Sequence, residues 1–221
     1  MPIRVLIVED NAVARSFLMR VVRESFSDEL VFVEAHDLGS ARRALGADPL
    51  AHEPPPVGPD AFRLVLCDLE QPEQAGLALL AQLSSYPAIR IATTLHSDDD
   101  HLFPALQCGA SGYLLKEDRF EVLVEELQRI VRGQPPLSPS MARRMHAFLR
   151  AMDLPEDDPR ALSPRESEVL LQLSKGFTLK EIARLMGVKW LAVSEQIRGA
   201  YRKLALASAL SPTAFGSGEL G

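Results

Sequence analysis

Five times within its first 130 residues this chain repeats one unit, a short apolar run followed by an amphipathic stretch. The runs are IRVLIV (3–8), LVFVEA (30–35), RLVLC (63–67), AIRIAT (88–93) and SGYLL (111–115). Four of them are nearly continuous in apolar residues, as strands buried on both faces must be. Between them lie helical patterns near 11–26, 37–46, 74–83, 98–108 and 119–131. The last places Phe120, Leu123, Leu127, Ile130 and Val131 on one face. Alternating βα units of this kind predict an α/β fold, a doubly wound five-stranded parallel sheet. Such sheets bind ligands at the carboxyl ends of their strands.

What stands at those ends is therefore the first place to look for chemistry. Glu9 and Asp10 follow the first run, Asp68 the third, Thr94 the fourth and Lys116 the fifth. Parallel strands bring all five to one edge. Converging carboxylates raise one another's pKa unless a cation intervenes. A site of few oxygen ligands suits Mg²⁺, which can align an incoming phosphoryl group and offset its charge. An aspartate there can attack phosphorus and become an acyl phosphate. Thr94 can hydrogen-bond a phosphoryl oxygen, and Lys116 adds a positive charge.

The rest of the chain has another rhythm. Residues 46–61 carry five prolines and two glycines and read as a surface loop, an insertion before the third strand or a docking element. RGQPPLSPS (132–140) reads as a linker. An amphipathic helix with Met141, Met145, Phe148 and Met152 on one face follows, then a break at 153–161. Three punctuated helices come next. Ser163-Pro164-Arg165-Glu166 and Thr178 with Glu181 are capping boxes. Gly176 ends the first helix and Gly187 lies past the second. The third helix, about 190–204, buries Val193, Ile197, Ala200, Tyr201 and Leu204. The expected domains are residues 1–131, a linker with one helix over 132–160, and a small all-α helix-turn-helix domain over 161–221. After Leu204, a short helix from about 211 and a disordered last six residues are expected.

Charge divides the same way. Residues 1–134 hold 21 Asp+Glu and 12 Lys+Arg, net −9; residues 135–160 are neutral; residues 161–221 hold five acids and eight bases, net +3. The front suits a cation and the tail an anion such as nucleic acid. The N-terminus lacks signal-peptide organisation and no run approaches a membrane span, so a cytoplasmic location without membrane contact is expected. Cys67 and Cys108 read as buried free thiols.

Residues 3–131 resemble the receiver domain of two-component response regulators. VEDN (8–11), CDLEQP (67–72), Gly76, Thr94 and GYLLK (112–116) match that family's landmarks in order and spacing. The resemblance implies that Asp68 is the phosphoacceptor, charged by a partner histidine kinase. It implies Mg²⁺ ligands at Glu9, Asp10, Asp68 and the carbonyl of Glu70. Thr94 and Tyr113 would be the switch pair, with Lys116 contacting the phosphoryl group. Lys116-Glu117 departs from the more familiar Lys-Pro, and Gln71 and Gln74–Ala75 depart from the usual loop after the phosphoacceptor.

Residues 161–205 resemble the helix-turn-helix domain of the LuxR/NarL/FixJ class, through LSPRESEVLLQLSKGFTLKEIARLMGV (162–188) and RKL (202–204). That implies a third helix in the major groove of double-stranded DNA and a homodimer when phosphorylated. Lys189, Val193, Ser194, Arg198, Arg202 and Lys203 are the expected DNA contacts, with Ser194, Arg198 and Arg202 on one outward stripe and Lys203 beside it. Here the helix departs from the family pattern. Lys189 stands at the cap position and Ala192 and Gln196 replace the usual Thr and His. Gln196 is expected half-buried, Glu195 is unwelcome beside phosphates, and Trp190 reads as a residue that packs or lies against the backbone.

The leading expectation is a regulator, not an enzyme, whose DNA binding and control of transcription follow phosphorylation of Asp68. One alternative is a response regulator with a degenerate helix-turn-helix that binds a protein. Salt-sensitive duplex binding separates the two. Another is an aspartyl-phosphate enzyme, suggested by Glu70 two residues after Asp68, which turnover of phosphate esters would reveal.

Overall fold

The computed structural model describes residues 2–47, 55–58, 60–134, 137–155 and 157–209. It divides into two compact units, Met1–Pro136 and Leu137–Gly221. The expected tail helix from about 211 and most of the proline-rich 46–61 segment lie outside the described residues.

In the first unit the five apolar runs form one parallel sheet: β1 (Ile3–Val8), β2 (Leu30–Ala35), β3 (Leu64–Asp68), β4 (Ile89–Thr94) and β5 (Gly112–Leu115). The order is β2-β1-β3-β4-β5. Every residue of the central β3 is buried, which is why its sequence shows no polar alternation. The connecting helices are α1 (Ala12–Ser25), α2 (Leu38–Ala44), α3 (Ala75–Gln82), α4 (Asp99–Gln107) and α5 (Phe120–Val131). Alternate side chains divide between two faces. Val5, Ile7, Leu64 and Leu66 join Leu18, Val21 and Val22 of α1 and Leu123, Leu127 and Ile130 of α5 in one core. Phe17 and Phe120 meet edge to face at 6.0 Å and tie these two helices. Cys67 points the other way, its Sγ 3.5 Å from the Gly76 carbonyl of α3. Gly76 is required there, because a Cβ would collide with the Asp68 carbonyl.

Among the described residues the second unit has four helices: α6 (Pro139–Ala151), α7 (Pro164–Ser174), α8 (Leu179–Leu185) and α9 (Trp190–Ala209). Both capping boxes form. Gly176 (φ 91°) and Gly187 (φ 65°) take left-handed conformations past α7 and α8. Two expectations differ from what is seen. The helix placed in a 132–160 linker belongs to this unit's core: Met141, Ala142, Met145 and Leu149 of α6 are buried, and His146 Nε2 lies 2.8 Å from the Ser167 hydroxyl of α7. An apolar stripe on a short helix is stable only when covered, and here α7 helps cover it. The third helix also runs past 204 to Ala209, burying Ala207, with the Ser208 hydroxyl bonded to the Leu204 carbonyl at 2.9 Å.

Candidate functional site

The carboxyl edge of the sheet assembles as the topology dictates. Glu9 and Asp68 are 1% exposed and Thr94 is fully buried, while Asp10 stands in solvent. Carboxylate oxygens of Glu9, Asp10 and Asp68 lie within 4.8 Å of one another. Lys116 reaches across from the end of β5. Its Nζ is 2.5 Å from Asp68 Oδ1, 2.8 Å from Glu9 Oε2 and 3.1 Å from Glu70 Oε2. Burial works to depress the Lys116 ammonium, but hydrogen bonds to Asp68 and Glu9 outweigh it and raise its pKa above the ordinary range. Burial, then the neighbouring Glu70, push the Asp68 carboxyl up to about 7.

One ammonium therefore faces four carboxylates at this edge. The donor set is hard oxygen, and its negative charge exceeds what Lys116 can balance, so the residues present fit a small divalent cation.

In the receiver reading, sequence reasoning gave Glu70 a role through its backbone carbonyl. Its side chain occupies the site as well. Glu70 Oε1 accepts from Thr94 Oγ1 at 2.7 Å and from the Leu95 N–H at 3.0 Å. Burial works to raise the Glu70 carboxyl, but bonds from Asp68, Thr94 and Leu95 hold it low. The Thr94 hydroxyl also accepts from the His96 N–H at 3.0 Å. Thr94 is thus drawn toward Glu70 at the end of β4. The signal in the sequence was an acid two residues past Asp68, which pointed to enzyme chemistry. Tyr113, on β5, is half-buried. The loop after Asp68 is bent at Glu73 (φ 55°) and Gln74 (φ 56°), left-handed conformations unusual outside glycine, which composition did not foretell.

In the second unit the structure sorts the expected DNA contacts into two groups. Lys189, Arg198 and Arg202 are exposed. Val193 and Ser194 are each 1% exposed and belong to the core. The Ser194 hydroxyl lies 3.3 Å from the Trp190 carbonyl one turn back, a local bond that suits an inward serine. Lys203 is half-buried and paired with Glu166 at 2.6 Å. Glu166 closes its capping box on the Ser163 N–H at 2.7 Å, and Gly199 makes room for it, since a Cβ there would strike its carboxylate. Lys203 therefore ties α9 to α7. The outward stripe of α9 is Leu191, Glu195, Arg198, Arg202 and Leu206. Glu195, not Ser194, sits among the arginines, 3.8 Å from Arg198. Gln196 is half-buried as expected, and Trp190, read as packing or lying against the backbone, is 41% exposed. Sequence reasoning did not pick out Lys180 and Arg184, exposed one turn apart on α8.

Comparison with known proteins matches a family to each of the two units. Residues 5–128 match the family model described as the response regulator receiver domain, and residues 160–211 match that of bacterial regulatory proteins of the luxR family. The chain is 28% identical over 202 residues to the transcriptional regulatory protein YdfI of Bacillus subtilis, covering 91% of this chain and 89% of the relative. It is 29% identical over 220 residues to the nitrate/nitrite response regulator protein NarP of Escherichia coli, covering 96% and 93%. Among solved structures, one of two RcsB dimers bound to two parallel DNAs is 20% identical, covering 98% of this chain and all of that one, with a TM-score of 0.50. That likeness bears on the fold.

Proposed function

This chain belongs to the response regulators, with a receiver domain followed by a LuxR-family regulatory domain, and from that premise we propose that a histidine kinase phosphorylates Asp68 and thereby controls binding of the second domain to DNA. The observation that carries the reading is the seating of Asp68 at the end of the central strand, beside Lys116 and three further carboxylates. Glu9, Asp10, Asp68 and the carbonyl of Glu70 would hold Mg²⁺. The ion, when bound, supplies charge that keeps Asp68 ionised and offsets that of the incoming phosphoryl group.

The chain's own residues do the remainder. Asp68 Oδ attacks the phosphorus of a phosphohistidine; an O–P bond forms, the P–N bond breaks, and the imidazole leaves with the electron pair. Lys116 stays beside Asp68 and neutralises part of the product. The phosphoryl group brings about two negative charges, which repel the Glu70 carboxylate and compete for the Thr94 hydroxyl. Thr94 exchanges Glu70 for a phosphoryl oxygen. Tyr113, two residues before the carboxyl end of the neighbouring β5, turns into the space released. The result is a shift between two existing arrangements of the α4–β5–α5 face.

Arg198, Arg202 and Lys189 supply the DNA contacts in this reading, as a homodimer on a two-part site. A regulator that meets a kinase and DNA suits the cytoplasm, and no described helix is long and apolar enough to cross a membrane. A second reading, in which the output domain binds a protein, draws support from Glu195 on the exposed stripe and from Trp190 and Leu191 in solvent.

The test is Mg²⁺-dependent labelling by acetyl phosphate. The wild-type chain takes up one phosphoryl group and Asp68→Asn takes up none. Persistent labelling of the variant would move the phosphosite elsewhere.

A further inference from the structure

Outside the acidic pocket, the loop from β4 into α4 gathers a different donor set. His96, Asp98 and His101 each offer a ligand atom, and these atoms lie within 4.8 Å of one another. The His96 and His101 rings stack with centroids 4.1 Å apart and planes inclined by 17°. The Asp98 carboxylate accepts from the N–H groups of Asp100 and His101, each at 3.1 Å, so the first turn of α4 holds it in place. His101 Nδ1 is 2.7 Å and 2.9 Å from its two oxygens. Coordination would exchange this His101–Asp98 bond for bonds to the ion, with the three exposed side chains turning toward it.

Two imidazoles and a carboxylate form a nitrogen-containing set that Zn²⁺ takes readily, with water in the fourth position, whereas Mg²⁺ prefers oxygen alone. All three residues are exposed, so a cation reaches them without local unfolding. The chemistry of the acidic edge uses none of them.

We propose that His96, Asp98 and His101 form a second cation site, for zinc or a cation of its class, and that its occupancy opposes phosphorylation. The second half rests on Thr94 being the switch residue. The backbone N–H of His96 bonds the Thr94 hydroxyl, and that of the adjacent Leu95 bonds Glu70. A cation spanning His96 and α4 stiffens this segment with Thr94 on Glu70, while the phosphorylated arrangement needs Thr94 elsewhere. Two ligands that favour different arrangements weaken each other by the same factor.

The test is calorimetric titration of Zn²⁺ into the full chain, with Mg²⁺ saturating the acidic pocket. One Zn²⁺ should bind per chain. His96→Gln and His101→Gln should each weaken it at least roughly tenfold, with circular dichroism unchanged. Asp68→Asn and His36→Gln, the latter beside Asp37 elsewhere on the surface, should leave it intact. Loss in Asp68→Asn, or retention in both loop variants, overturns the site. Beryllium fluoride, a phosphoryl mimic, should lower Zn²⁺ affinity several-fold in the wild-type chain. Equal affinity with the mimic bound overturns the coupling. Failure of the mimic to bind with Mg²⁺ and no Zn²⁺ would instead count against the reading of Asp68.

Discussion

The carboxyl edge of the sheet and the outward face of α9 were both assigned residue by residue from the sequence, and they fared differently. At the sheet edge Glu9, Asp10, Asp68 and Lys116 converge as expected, with Thr94 at the end of β4. Of the six expected contacts on α9 or just before it, three point to solvent, two are core, and one is spent on an ion pair. A strand end is a topological position. Once the strands are parallel and adjacent, their carboxyl ends reach the same place, an error of one residue moves the backbone only about 3 Å, and just past the strand end a side chain from either face can turn over the edge. A helix face is a phase. An error of one residue rotates a side chain by about 100°, which is the difference between Ser194 and Glu195.

That contrast predicts unequal consequences for substitutions in the two regions. The largest effect falls where buried charges depend on one another. Lys203→Met leaves the 7%-exposed Glu166 without its ammonium. It should cost about 3 kcal/mol of the second unit's stability in thermal or urea unfolding, the lower end for a broken buried pair. A loss below about 0.5 kcal/mol would return Lys203 to the DNA-facing surface.

Next is the hold of Glu70 on Thr94. Glu70→Gln weakens a charge-assisted bond worth about 1.5 kcal/mol, so beryllium fluoride with Mg²⁺ should bind about tenfold more tightly. Unchanged affinity would mean that Glu70 does not compete for Thr94.

The exposed arginines come third. Arg198→Ala and Arg202→Ala should each weaken duplex binding and reduce the slope of log affinity against log salt by about 1. Ser194→Ala should leave both unaltered. If Ser194→Ala weakens DNA binding and the arginine variants do not, the face of α9 has been drawn wrongly.

Apart from these substitutions, Asp68 should make stability depend on pH in buffer without Mg²⁺. Its folded pKa is raised to about 7, so between about pH 4 and 7 the folded state holds a proton that the unfolded state has lost. Stability should therefore fall as pH rises through that window. Asp68→Asn should flatten that slope. A slope as steep in the variant would assign it to another group.

Much of the architecture was legible because buried parallel strands leave continuous apolar runs, and the capping boxes at Ser163 and Thr178 mark helix starts within a residue. What escaped depended on contacts between distant residues. Glu70 differs from a solvated acid only because Thr94 stands at the end of β4. Lys203 differs from a DNA-binding lysine only because Gly199 admits Glu166 beneath it. Helix α6 looked like a linker because Pro135, Pro136 and the 153–161 break flank it, and only its packing against α7 and α9 makes it core.

The account's central claim is that the phosphoryl group on Asp68 governs DNA binding by the second unit. Its most direct test is binding to pooled genomic DNA fragments, with and without beryllium fluoride plus Mg²⁺, across several salt concentrations. Enrichment of particular fragments, stronger with the mimic and weaker in salt, is the predicted result. No enrichment in either state, from protein shown to hold the mimic at Asp68, would contradict the claim and leave α9 as a surface for a protein partner.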